Sequence, residues 1–221
     1  MMLITAILFK DEWSHKFSVQ ETQKGVFHGP DTDVECSFMH MRSVWRDVWF
    51  GEGFKALELP FYQAGSMWFI LPDEGLSPSS LLASGVLMEN YPPRDHDQIV
   101  LERDVTMAVP KFEVSSDLDM VDSLKRLGIR RVFTDNAEMP YTHIKNDMLK
   151  LGQARQGVRL KIDEKGCEGG AYTVLGGFVG EFNLDIPLEI ELTFDRPFLF
   201  IVSGFGSLPL FMGIVDRPDP I

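Results

Sequence analysis

The sequence predicts an α+β fold, mostly β-strands with a few helices, on three observations. Apolar and polar residues alternate at a period of two, as in Val158, Leu160, Ile162 and again in Leu188, Ile190, Leu192, Phe194, which sets each group on one face of a strand. Unbroken apolar runs at residues 67–72 and 198–202 have the length and composition of strands buried on both faces. Helical signals are few, the clearest covering residues 116–127.

Taken in order, residues 2–9 read as a buried strand bounded by Lys10, Asp11 and Glu12, with Trp13 just past its end as an aromatic plug. Leu57, Leu59 and Phe61 alternate with Glu58 and Pro60, and the run at 67–72 follows a turn over 63–66, so two adjacent strands are expected. Ser77 followed by Pro78 is an N-cap with proline at the first helical position, opening a short helix to about Met88. Residues 91–98, with two prolines and mixed charge, read as a loop. Val105, Met107 and Val109 face one way, whereas Phe112 and Val114 are shifted by one, so a bulge or twist is expected at Pro110. Over 116–127, Ser116 stands as N-cap, Leu118, Val121 and Leu124 share a face, and Gly128 terminates the helix.

The chain of 221 residues, 44% hydrophobic, suffices for one domain or at most two, and no composition shift marks a linker, so residues 1–221 are expected to form a single domain. A net charge of -12 argues against nucleic acid or an anionic membrane as partner, since both need clustered cations. Cys36 and Cys167 are the only cysteines, which leaves no disulfide framework or CxxC pair and makes two free thiols the expectation. Residues 1–9 lack the basic start and small-residue cleavage site of a signal peptide. The uncharged stretch 197–215 reaches membrane-spanning length, but Ser203, Gly204, Gly206, Ser207 and Pro209 in its middle indicate a buried hairpin.

Catalytic motifs are absent. Five histidines occur without HExxH or paired spacing, and there is no GxSxG, no P-loop and no GxGxxG between strand and helix. No enzymatic activity, metal or cofactor is expected.

The informative stretch lies between the alternating segments 158–162 and 188–194. It holds Gly169, Gly170, Gly176, Gly177 and Gly180 and no Lys or Arg between Lys165 and Arg196, too glycine-rich for a central strand or helix. An exposed loop of this length, about residues 165–187, is more often functional than incidental. IDEKGCEGGAYT at 162–173 resembles the hinge of the serpins, the serine protease inhibitor family. TFDRPFLFIV at 193–202 is similar to the serpin signature near the C-terminus, and PLFMGIVDRP at 209–218 to its closing strand. AILFKDEW at the start and VPKFEV followed by DLDMVDSLKRLGIRRVF match in the same order.

The resemblance implies a serpin-like multi-sheet domain, here its C-terminal portion, incomplete at the N-terminus. It places residues 2–9 as the central strand of the large sheet and Trp13 at the gap where loop insertion begins. Residues 17–42 would form the next two strands, with Cys36, Phe38 and Met39 in the core. It implies a suicide-substrate inhibitor whose hinge comprises Glu164, Gly166, Cys167, Gly169, Ala171 and Thr173, with the reactive bond among Val179, Gly180, Glu181 and Phe182. Counting alternately from Cys167, the side chains that would face inward on insertion are all small; Gly169 and Gly170 stand where the family usually has alanine. The implied partner is a serine protease, chymotrypsin-like or elastase-like because the loop offers no Lys or Arg. The family suggests an extracellular setting. A non-inhibitory binding or scaffold protein and an inactive truncated fragment are the alternatives. For a chain starting at the central strand, poor inhibition alone, and association with a complementary segment or with itself, are expected.

Overall fold

The computed structural model describes residues 2–6, 9–93, 99–137, 150–167 and 189–218. In chain order the strands and helices are β1 (Met2–Ala6), β2 (Asp11–Glu12), β3 (Gln23–His28), β4 (Asp33–Gly51), β5 (Phe54–Pro60), β6 (Ser66–Pro72), α1 (Pro78–Ser84), α2 (Val86–Asn90) and β7 (Ile99–Pro110). They continue with β8 (Phe112–Asp119), α3 (Val121–Arg126), β9 (Gln153–Ile162), β10 (Gly166–Cys167), β11 (Glu189–Thr193), β12 (Phe198–Ser203) and β13 (Pro209–Val215). These form two compact units, one from Met1–Leu8 with Val114–Leu160, the other from Phe9–Glu113 with Lys161–Ile221.

In the first unit β1 runs parallel to β9, with Met2 opposite Gln153 and Ala6 opposite Gly157. Strand β8 also pairs with β9, and Arg155 of β9 grips Asp117 of β8 through two guanidinium hydrogen bonds of 3.1 and 2.5 Å. Contrary to the expected helix 116–127, Ser116 to Asp119 stay extended within β8 and the helix spans only Val121–Arg126. The Asp119 carboxylate accepts from the Val121 N–H at 2.9 Å, and the Met120 N–H donates to the Ala154 carbonyl of β9 at 2.7 Å. Pairing with β9 thus competes successfully with the helical signal, and the aspartate rather than Ser116 satisfies the first turn. Residues 2–9 were expected to be buried, yet Met2 and Leu3 are 52% and 45% exposed.

The second unit is built on an eight-stranded sheet in the order β11-β7-β4-β5-β6-β12-β13, with β3 on β4. Strand β4 is its axis, because its nineteen residues are long enough to pair with β3 near one end and β5 near the other, while β7 runs antiparallel beside it. Leu57 lies opposite Phe69 in the expected β5–β6 hairpin, and the stretch 197–215 is indeed a hairpin, with Phe198 opposite Val215. Both apolar runs, β6 and β12, are buried at every position. One sheet face packs Trp49, Phe54, Trp68, Ile70, Leu199 and Ile201 against Leu81 of α1 and Leu87 of α2. Phe112, Phe194, Phe198 and Phe200 form a second aromatic cluster, with Phe194 and Phe198 ring centres 5.4 Å apart. Cys36, Phe38 and Met39 are buried as expected.

Two boundaries differ from expectation. The helix opens at the expected N-cap Ser77, which forms a capping box with Ser80, the two exchanging side-chain and backbone hydrogen bonds at 3.1 and 3.0 Å, but Gly85 at φ +80° splits it into α1 and α2. At Pro110 the chain leaves β7 altogether: Lys111 is a one-residue break, and β8 joins a different sheet.

Candidate functional site: the turn between β9 and β10

Strand β9 ends at Ile162 because the next four residues close a tight turn. Asp163 and Gly166 exchange backbone hydrogen bonds of 3.2 and 3.3 Å, and the Asp163 carboxylate accepts from the Lys165 N–H at 2.9 Å. Gly166 is the position with no alternative residue. A Cβ there would collide with the Asp11 backbone oxygen and stand 2.5 Å from the Glu12 Cα, at a φ of +157°, so only glycine lets β10 approach β2.

The turn returns the chain as β10, between β9 and β2. Cys167 is opposite Ile162 on one side and Asp11 on the other, and Gly166 is opposite Glu12. Cys167 is 1% exposed, and burial first, then the Asp11 and Asp163 carboxyls, push its thiol up to about 12. Cys36 is likewise pushed up by burial, to about 11. Both thiols are free and neither has the lowered pKa of a reactive cysteine. The sequence suggests that the exposed loop begins near Lys165; Gly166 and Cys167 are instead buried in β10, paired with Glu12 and Asp11 of β2, and Cys167 also with Ile162 of β9.

Trp13 seals this turn. It is 1% exposed, its backbone N–H donates to the Lys165 carbonyl and its indole Nε1–H to the Asp163 carbonyl, both at 2.9 Å. Its ring lies flat on Phe61, with centres 5.0 Å apart, and meets Phe17 edge-on. A plug and a latch are thus the same residue: the ring buries apolar area while the indole N–H fixes the backbone of the 163–166 turn.

Three polar residues that sequence reasoning passed over, Asp11, Thr22 and Lys111, hold the arrangement. Glu164, buried despite its charge, accepts from the Thr22 hydroxyl at 2.8 Å and pairs with the Lys111 ammonium at 3.0 Å. Burial opposes its ionisation, but its own backbone N–H, Thr22 and Lys111 outweigh burial and hold the carboxyl below the usual range. Asp11, 5% exposed, accepts from the backbone N–H groups of Glu12, Gln63 and Ala64, tying β2 to the β5–β6 turn. Burial nonetheless pushes its carboxyl up. Lys111 was legible only as a charge between two strands, and Asp11 and Thr22 carried no motif.

Of the expected site residues, Trp13, Glu164, Gly166 and Cys167 come together here. Gly169, Ala171, Thr173, Val179, Gly180, Glu181 and Phe182 lie outside the described residues. The chain is described again at β11, where Glu189 to Thr193 run parallel to Asp104 to Ala108 of β7.

The family profile described as serpin (serine protease inhibitor) matches residues 1–218. A serine protease inhibitor of Cyanea capillata is 29% identical over 98% of this chain and 57% of its own length. Alpha-1-antitrypsin 1-5 of Mus musculus is 30% identical over 98% of the chain and 51% of its own length. Among solved structures, that of Serpin48, a highly specific serpin in the insect Tenebrio molitor, aligns with a TM-score of 0.79 at 23% identity, over 98% of this chain and 56% of that one. Uncleaved ovalbumin aligns with a TM-score of 0.76 at 24% identity, over 97% and 53%. The chain therefore spans about half the length of the curated relatives it matches, in a family that includes inhibitors of serine proteases. The chain belongs to the serpin family.

Proposed function

We propose that this chain carries the bait loop and the receiving strands of a serpin-type inhibitor that acts on an extracellular serine protease as a suicide substrate. The protease serine attacks a loop carbonyl near residues 179–182, the peptide bond breaks, and the acyl-enzyme forms. The freed loop then enters the sheet as a new strand, led by Cys167 and followed inward by Gly169, Ala171 and Thr173. Each residue gained converts exposed backbone into ladder hydrogen bonds. About ten such bonds at a net ~0.5 to 1.5 kcal/mol give on the order of ten kcal/mol, comparable to the stability of a whole domain.

The observation that supports this reading most is the double pairing of Cys167, flanked by Ile162 and Asp11. Insertion by this route extends a strand that has already started, which avoids the cost of nucleating one.

The absence of Lys and Arg from Gly166 to Asp195 favours chymotrypsin-like or elastase-like proteases over trypsin-like ones. The test is incubation of the chain with a panel of the three classes, with detection of detergent-resistant complexes and mass mapping of the cut. Capture by a chymotrypsin-like or elastase-like enzyme with cleavage at 179–182 supports the reading; efficient capture of trypsin contradicts the specificity. A second reading, a serpin-like binding protein whose loop no longer inserts, is favoured by Gly169 and Gly170, each of which weakens a regular strand by roughly 0.5 to 1 kcal/mol.

A further inference from the structure

The loop machinery makes no use of a cationic cluster in the first unit. Lys125, Arg126, Arg130 and Arg131 fall within seven residues of a chain with 21 Lys and Arg against 33 Asp and Glu. Local geometry gathers three of them. Gly128, at φ +92°, turns the chain back over the end of α3: the Leu127, Gly128 and Ile129 N–H groups donate to the Ser123, Lys125 and Leu124 carbonyls at 3.0, 3.1 and 2.9 Å. This return brings Arg130 to the helix end, where its Nε–H donates to the Lys125 carbonyl at 3.1 Å, leaving its two terminal nitrogens on a guanidinium fixed at one edge. Lys125, Arg126 and Arg130 then line a concavity of about 720 Å³ together with Asp122, Phe133 and Thr134. The Lys125 ammonium is 5.7 Å from the Phe133 ring centre, and Asp122 takes up part of its charge at 3.6 Å. Among the described residues no carboxylate pairs with Arg126 or Arg130, whereas Lys150 and Arg155 of the same unit are paired with Asp135 and Asp117.

We propose that this concavity binds a compact ligand bearing several phosphate or sulfate ester groups. Guanidinium groups match the tetrahedral oxyanions of such esters bidentately, and the Phe133 ring offers an apolar floor. The small extent of the cluster, three cations around one concavity, favours a short ligand over a long polyanion, whose remaining charges would find no further cations there.

The test is isothermal titration of the full 221-residue chain with tripolyphosphate and, separately, with sucrose octasulfate. Saturable one-to-one binding with Kd below about 1 mM, weakened at least several-fold between about 50 and 200 mM salt, is the expected result for at least one probe. Binding of tripolyphosphate alone assigns the site to phosphates, and of sucrose octasulfate alone to sulfated sugars; binding of both assigns it to the shared oxyanion chemistry. The double variant Arg126→Gln/Arg130→Gln should lose about tenfold or more in affinity with an unchanged thermal melt, and Arg155→Gln should bind as the parent does. Failure of both probes to saturate, or full binding by the double variant, overturns the proposal.

Discussion

Gly166 and Asp11 meet so closely that no side chain fits between them: a Cβ on Gly166 would run into the Asp11 backbone oxygen. The contact is what allows β10 to sit beside β2. Gly166→Ala should therefore cost about 2 kcal/mol or more and expose Cys167. Denaturant unfolding, with thiol labelling of Cys167 under native conditions, measures both effects. Full stability with a protected Cys167 would mean that β2 can move aside.

Glu164 makes an acid-sensitive fastening. Its carboxyl is held below its ordinary value of 4.5, so its contribution is complete above that value and is lost as the pH falls through the lower folded-state value. Glu164→Gln should cost about 1 to 3 kcal/mol at pH 7 by leaving the Lys111 ammonium without its charged partner. The loss should shrink in acid, where the parent also loses the charge. Urea melts from pH 3 to 7, compared between parent and variant, test this, and a pH-independent difference would contradict it.

Glu58 should behave in the opposite sense. The Ser66 hydroxyl donates to it at 2.5 Å and lies 2.9 Å from the Ser203 hydroxyl, but burial first, with Asp47, pushes its carboxyl above 4.5. Stability from the neutral carboxyl is complete below that value and falls as the pH rises through the folded-state value. Glu58→Gln keeps an acceptor for Ser66 and cannot ionise, so it should stabilise the chain by roughly 1 kcal/mol at pH 8 and make little difference near pH 4. A destabilised variant at pH 8 would show that the carboxylate is the form the fold requires.

Legibility in the sequence followed the reach of the interactions. Alternation identified Leu192 and Phe194, and the serines and glycines between two apolar runs identified the β12–β13 hairpin, because period and turn chemistry are local. The helix start at Ser116 was misjudged because Met120 bonds to Ala154, a partner 34 positions away that no local pattern announces. Glu164, Gly166 and Cys167 were singled out through family resemblance. Their burial was not, since it depends on Asp11, Thr22 and Lys111, each distant in sequence.

Cys167→Arg is the sharpest substitution for mechanism. At a position 1% exposed and paired on both sides, the guanidinium would be buried without a designed partner at a cost of several kcal/mol, on the order of that for an isolated buried charge after relaxation. Insertion should stall while cleavage proceeds, so the variant should be cut by the target protease as a plain substrate. The ratio of covalent complex to cleaved chain, read by denaturing electrophoresis, should fall at least several-fold. An unchanged ratio would separate inhibition from the seating of Cys167 in the sheet.

The most direct measurement is the thermal melt of the chain before and after a single cut in the loop. If the cleaved loop inserts and adds on the order of ten kcal/mol, then at roughly 2 to 4 °C per kcal/mol for a chain of this size the Tm should rise by a few tens of degrees. An unchanged or lower Tm in the cut chain, with the cut verified by mass at residues 179–182, would contradict insertion and leave the non-inserting binding protein as the reading that stands.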